Sequence, residues 1–220
     1  MVALPFDFDA YDFQNGFLVL RGGITAALGG IESNNNALKM KLTEYEEGGL
    51  FEGQEDEDGC VIWSLDQLLQ HKIENNMLAS EELRRGFVIT AFHLWERSIQ
   101  HLNRKASRNA NDAGCESGGK HLQSFGDFEK ALKRLHFPMH ANLRPVYLLA
   151  TFLKHDNERH WVELSPFLDK LFPTITFEGS ISKVDAASLR ITDDHLNMIF
   201  DVLSRSGPQE TPAGITDVAL

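Results

Sequence analysis

LRPVYLLATFLKHDNERHWVELSPFLDKLF, residues 143–172, is the stretch whose reading decides the class of fold. Its first half is apolar on nearly every face up to Leu153 and then stops on Lys154-His155, the ending of a buried helix whose last turn takes cations. A polar turn follows, and then a second amphipathic segment over Leu164–Phe172, punctuated by Pro166 and Pro173. Two helices in tandem, the first too apolar to face water, require further helices to cover them.

Working outward, the same 3.6-residue period recurs. Ile24, Ile31, Leu38 and Tyr45 repeat every seven residues, with Leu20, Ala27, Leu28 and Leu42 on the same face. Gly22, Gly23, Gly29 and Gly30 sit inside this stripe, where they either permit a close helix crossing or break the helix in two. A second stripe runs through Leu65, Leu69, Ile73 and Met77, then Val88, Ala91, Trp95, Ile99 and Leu102; Ser80-Glu81-Glu82 offers an N-cap between them, so this is either one helix or two. Phe125, Phe128, Leu132 and Leu135 form a short helix stopped by Pro138, and Thr192 or Asp193 caps a last one with Leu196, Ile199, Phe200 and Leu203. Glu46–Gly59 reads as an acidic loop, Ala106–Gly119 as a polar loop, and Thr174–Phe177 as a brief strand or extended arm. Strand signals are otherwise nearly absent, so an all-α helical bundle with long N-terminal helices is expected. Its parts would be an N-terminal helix with acidic loop (1–60), the bundle (61–205) and a disordered tail (206–220).

Charge is unevenly spread along the 220 residues, whose net charge is −11. Residues 84–160 hold thirteen Lys and Arg against seven Asp and Glu, and seven of the nine histidines; the segments on either side are acidic. Such a centre either faces the acidic segments within one bundle or forms a local anion or RNA surface. The total is acidic enough to argue against whole-surface attraction to nucleic acid. No apolar run reaches membrane-spanning length, the acidic start MVALPFDFDAYDF does not read as a signal peptide, and the two cysteines, Cys60 and Cys115, stand far apart. A cytoplasmic protein without membrane contact is the expectation.

Candidate chemistry clusters in two places. FHLWERSIQH, residues 92–101, places His93, Arg97 and His101 four apart on one helix face, with Glu96 at its edge; such a face either grips a phosphate or is a solvated polar surface. Lys154-His155 is the other place. His155, Asp156, Glu158, His160 and Glu163 are rich in ligand atoms but lack a metal-binding spacing, and GGITAALGG lacks the Lys-Ser/Thr of a phosphate loop, so neither metal nor cofactor is expected.

Three features together resemble bacterial all-α proteins of the HEPN-like superfamily. They are the helix FHLWERSIQHL, the apolar helix ending in Lys154-His155 where that group often has Asn-x-x-Lys-His-Gly, and the Leu-Phe-Pro at Leu171-Phe172-Pro173. The similarity spans Glu81 to Leu203, with Thr151 in place of the Asn and Asp156 in place of the Gly. The ribonuclease signature of the superfamily, Arg and then His four to six residues on, has its spacing at Arg134…His140, which Pro138 interrupts, and at Arg190…His195, at a helix start. What the resemblance implies is metal-independent RNA cleavage in stress or phage defence, with histidine as acid or base and arginine steadying the phosphate. Carried onto this chain, His155, Lys154, Arg97 and Glu96 would form the polar centre, and Arg144, His93, His101 and Arg159 would hold substrate. A homo-oligomer or protein partner is expected to cover the long apolar stripes. The alternative function is a non-catalytic helical adaptor or antitoxin-like partner, whose acidic N-terminal block neutralises a basic protein while Lys154-His155 only caps a helix.

Overall fold

A computed structural model describes residues 7–112, 121–171 and 186–209. Among them the protein is all-α, with six helices and one two-stranded ribbon. The helices are α1 (Phe8–Gly48), α2 (Leu65–Asp112), α3 (Phe125–Arg134), α4 (Leu143–His155), α5 (Glu158–Leu171) and α6 (Asp193–Ser204). The ribbon pairs β1 (Gly53–Glu55) antiparallel with β2 (Val61–Ser64). Among the described residues, no helix is long and apolar enough to cross a membrane.

Several expected boundaries move. The glycines of α1 neither break it nor sit at a crossing: the helix is continuous, and the space a Cβ would occupy at Gly22, Gly23, Gly29 and Gly30 is open. Likewise α2 does not restart at Ser80, whose hydroxyl donates to Asn76 O at 2.9 Å within the helix instead of capping a new one. It also continues through the first part of the expected loop 106–119, to Asp112. Val61-Ile62-Trp63, just before the second stripe, is a strand, as its β-branched and aromatic residues favour. Thr174–Phe177 lies outside the described residues.

The chain forms two compact units, and α1 and α2 each contribute to both. One unit is Gly22–Arg84, a helical hairpin closed by the ribbon. Ile24 and Leu69 are its buried apolar residues, Ile31, Leu38, Tyr45 and Ile73 are half-buried, and Asn76 donates to Asn35 Oδ1 at 2.8 Å.

The other unit takes the start of α1, α2 from Arg85, and α3 to α6. Trp95, Ile99, Phe128, Leu132, Leu143, Leu149, Phe152, Leu164, Ile199 and Phe200 are fully buried there. Trp95 packs against Phe92 and Phe128, with ring centroids at 5.6 and 5.1 Å, and its indole N–H donates to Ser206 O. The first residues of the expected disordered tail are instead packed in this unit. Ser206, Gly207 and Pro208 are buried; Ser206 Oγ accepts from His140 N at 3.0 Å, and Gln14 Nε2 donates to Ser204 O and Pro208 O, each at 3.0 Å.

The connection between α4 and α5 is only Asp156-Asn157. Asp156 has φ +43°, the left-handed conformation in which helices commonly end on glycine. Aspartate is among the few other residues that tolerate it, and its carboxylate is used: Oδ1 accepts Ala186 N at 2.6 Å. Asn157 Oδ1 accepts His160 N at 3.0 Å and so starts α5. Pro166, expected to punctuate this region, lies inside α5, where Ser165 Oγ donates to Val162 O, the carbonyl that proline cannot serve.

Candidate active site

Two helix stripes of identical spacing meet in the second unit. Ile89, Phe92, His93 and Glu96 of α2 stand at i, i+3, i+4 and i+7, and Tyr147, Ala150, Thr151 and Lys154 of α4 stand at the same intervals. Residues so spaced share one helix face, so each helix presents a line that is apolar at one end and polar at the other. With Gln123 and His155 they line a cavity of about 180 Å³. Phe92 and Tyr147 in its wall pack edge to face at 5.6 Å, and Phe125 packs on Tyr147 at 5.2 Å. Its polar lining is a carboxylate, an ammonium and two imidazoles: Glu96, Lys154, His93 and His155.

The cavity is smaller than pockets that enclose drug-sized ligands, which run to about 300 Å³ or more. It suits one polar group of a longer molecule. Thr151, where the resembling proteins have asparagine, lines the wall but spends its hydroxyl proton on Tyr147 O at 2.8 Å. The His155 ring also packs against His160 of α5, with centroids 5.7 Å apart; His160 Nδ1 is buried without a hydrogen-bond partner among the described residues.

Of the residues singled out from sequence, then, four line the cavity: His93, Glu96, Lys154 and His155. The others do not line the cavity. Arg97 is exposed, one residue and so about 100° around the helix from Glu96, and its Nε donates back to His93 O at 3.4 Å. His101 is exposed and lies eight residues, about 12 Å of helix rise, from His93. Arg144 is at the opposite end of α4 from His155, about 16 Å along the axis. Arg159 pairs with Glu163 at 3.2 Å on the surface of α5. No arginine reaches the cavity wall, so the expected pairing of His155 with Arg97 or Arg144 gives way to Lys154 as the cation present. Tyr147 and Gln123 escaped the sequence reading. Tyr147 was legible in principle, lying seven residues before Lys154; Gln123 precedes α3 and has no periodicity to betray it.

Both signature-like pairs have other occupations. Arg134 donates to Asn103 O and Oδ1, and His140 Nδ1 accepts from Asn142 N at 3.1 Å. His195 is in the capping box of α6: its N–H donates to Thr192 Oγ1 at 3.3 Å and its Nδ1 accepts Thr192 N–H at 3.1 Å. Burial holds this imidazole below the ordinary value of 6.5, against the opposing pull of Asp194. The unfolded chain therefore takes up the proton first, and stability present above 6.5 is lost as pH falls from there through the folded value. His195→Gln, which keeps an acceptor for Thr192 N–H, is expected to flatten the fall in thermal midpoint between about pH 7 and 5; scans of both proteins across that range check it.

Among the described residues no three His, Cys, Asp or Glu side chains are grouped to hold a metal ion. Compared with protein-family models, with curated proteins and with solved structures, the chain matches none.

Proposed function

We propose that this chain is a HEPN-like ribonuclease, of the kind used in bacterial stress or phage defence, that cleaves RNA without a metal ion in the cavity between α2 and α4. The observation that carries the reading is the convergence of His93, Glu96, Lys154 and His155 on one small cavity from two helices. Phosphodiester cleavage by the ribose 2′-hydroxyl needs a base to take that proton, an acid to give one to the leaving 5′-oxygen, and a cation for the charge gathering on phosphorus. The two imidazoles supply base and acid. The Lys154 ammonium, in the last turn of α4, faces the phosphate in the role that the resemblance gives to arginine. Glu96 orients an imidazole and offsets its positive charge when protonated. The new O–P bond forms as the P–O5′ bond breaks, leaving a 2′,3′-cyclic phosphate and a free 5′-hydroxyl. The small volume accords with a substrate that offers one nucleotide's phosphate at a time.

The test is cleavage of a mixed RNA pool by purified protein in EDTA, wild type against His155→Ala. Cleavage that survives the chelator and falls by about 10²-fold or more in the variant is the expected result. Equal cleavage by both would move the active site elsewhere. No cleavage by either, at unchanged melting temperature, would overturn the ribonuclease reading in favour of the adaptor.

A further inference from the structure

The ribbon at the end of the Gly22–Arg84 unit has no part in the cavity and exposes what a ribbon ordinarily hides. Val61, Ile62 and Trp63 of β2, where a bulge opposite Gln54-Glu55 interrupts the regular alternation, are all exposed, Ile62 to 57% and Trp63 to 42%. Leu50 and Phe51, just before β1, are 81% and 53% exposed. Among the described residues no strand neighbours either outer edge of this two-stranded sheet, and such edges present backbone donors and acceptors.

The ribbon is nonetheless held in shape. Asp56 Oδ1 accepts the N–H groups of Asp58 and Cys60 at 3.0 and 2.7 Å, Tyr45 Oη accepts Glu52 N at 3.1 Å, and Leu65 N donates to Glu52 O at 2.8 Å. A rigid exposed strand edge loses little entropy on pairing with another strand.

Charge selects the occupant. From Glu44 to Asp66 there are nine carboxylates and no lysine or arginine. Nucleic acid and anionic lipid are repelled from such a rim, whereas a cationic segment is drawn to it. We propose that the ribbon is a docking edge for a basic, apolar segment of another protein, which adds to it as a further strand. Its apolar residues would cover Val61, Ile62 and Trp63, and its Lys or Arg residues would meet the carboxylates of β1 and the turn. This inference goes beyond the ribonuclease reading and does not depend on it.

The test titrates the full chain with a short fluorescent peptide alternating lysine with valine and phenylalanine, and with a counterpart carrying glutamate at each lysine. Trp63 is the exposed one of the three tryptophans, Trp95 and Trp161 being buried, so its emission reports on the ribbon. The lysine peptide is expected to bind with a blue shift of tryptophan emission, and the glutamate peptide not to bind. Val61→Thr/Ile62→Thr keeps the charge and the β-branched strand, and Glu55→Lys/Glu57→Lys keeps the apolar faces. Each is expected to weaken binding tenfold or more while leaving the helical circular dichroism unchanged. Equal binding of both peptides, binding of neither, or full binding of the lysine peptide by the threonine variant would overturn the proposal. So would sedimentation as a dimer that the ribbon variants dissolve, which would make a second copy the occupant.

Discussion

In His93→Ala, RNA cleavage is expected to fall by about 10²–10⁴-fold, as far as in His155→Ala, because loss of either acid or base stalls the same transition state. The double variant is expected to be little worse than either single one, since residues that act as a unit do not contribute additively. Arg97→Ala is the informative contrast. Arg97 is the next arginine to the cavity residues in sequence, but it is exposed and bonded to its own helix. Its removal is expected to change cleavage by no more than a few-fold, through weaker attraction of RNA, and less at high salt. Single-turnover rates with one defined oligonucleotide, alongside melting temperatures, decide the matter. A loss in Arg97→Ala as large as in His93→Ala would show that the catalytic groups lie on the exposed face of α2 and not in the cavity.

Trp95→Ala is expected to destabilise the protein by about 3–5 kcal/mol, the usual cost of deleting a buried aromatic side chain. For a chain of this length that lowers the melting temperature by on the order of 10 °C. Trp95 is fully buried, stacks between Phe92 and Phe128, and gives its indole N–H to Ser206 O. Trp95→Phe retains most of the ring area but leaves that buried carbonyl without its donor, at a cost of about 1–3 kcal/mol. Urea unfolding followed by circular dichroism measures both. Near-equal losses in the two variants would assign the stabilisation to the hydrogen bond to Ser206 O; a loss below about 1 kcal/mol in either would contradict the central place of Trp95 in the core.

The all-α class and most helix positions were legible because apolar periodicity is a local property. The stripe Val88, Ala91, Trp95, Ile99 and Leu102 marks the buried face of α2, and the end of α4 on Lys154-His155 stands where the sequence places it. Helix breaks were read less well. Gly22, Gly23, Ser80 and Pro166 all carry break or cap signals, yet each lies inside a helix, since intrinsic penalties of roughly 1 kcal/mol for glycine are overridden by neighbouring contacts.

By itself, then, the sequence determined that the protein is helical, which residues each helix turns inward, and that chemistry-bearing side chains gather around residues 93–97 and 154–160. Only the tertiary structure decided which of those side chains meet. Along one helix, His93 and Arg97 are equivalent neighbours, and nothing in their spacing separates them. The packing of α2 with α4 puts His93 and Glu96 on the wall of the same cavity as Lys154 and His155 and leaves Arg97 off it. Periodicity reports the face of a single helix, whereas a site built across two helices depends on their pairing and register, which no local pattern encodes.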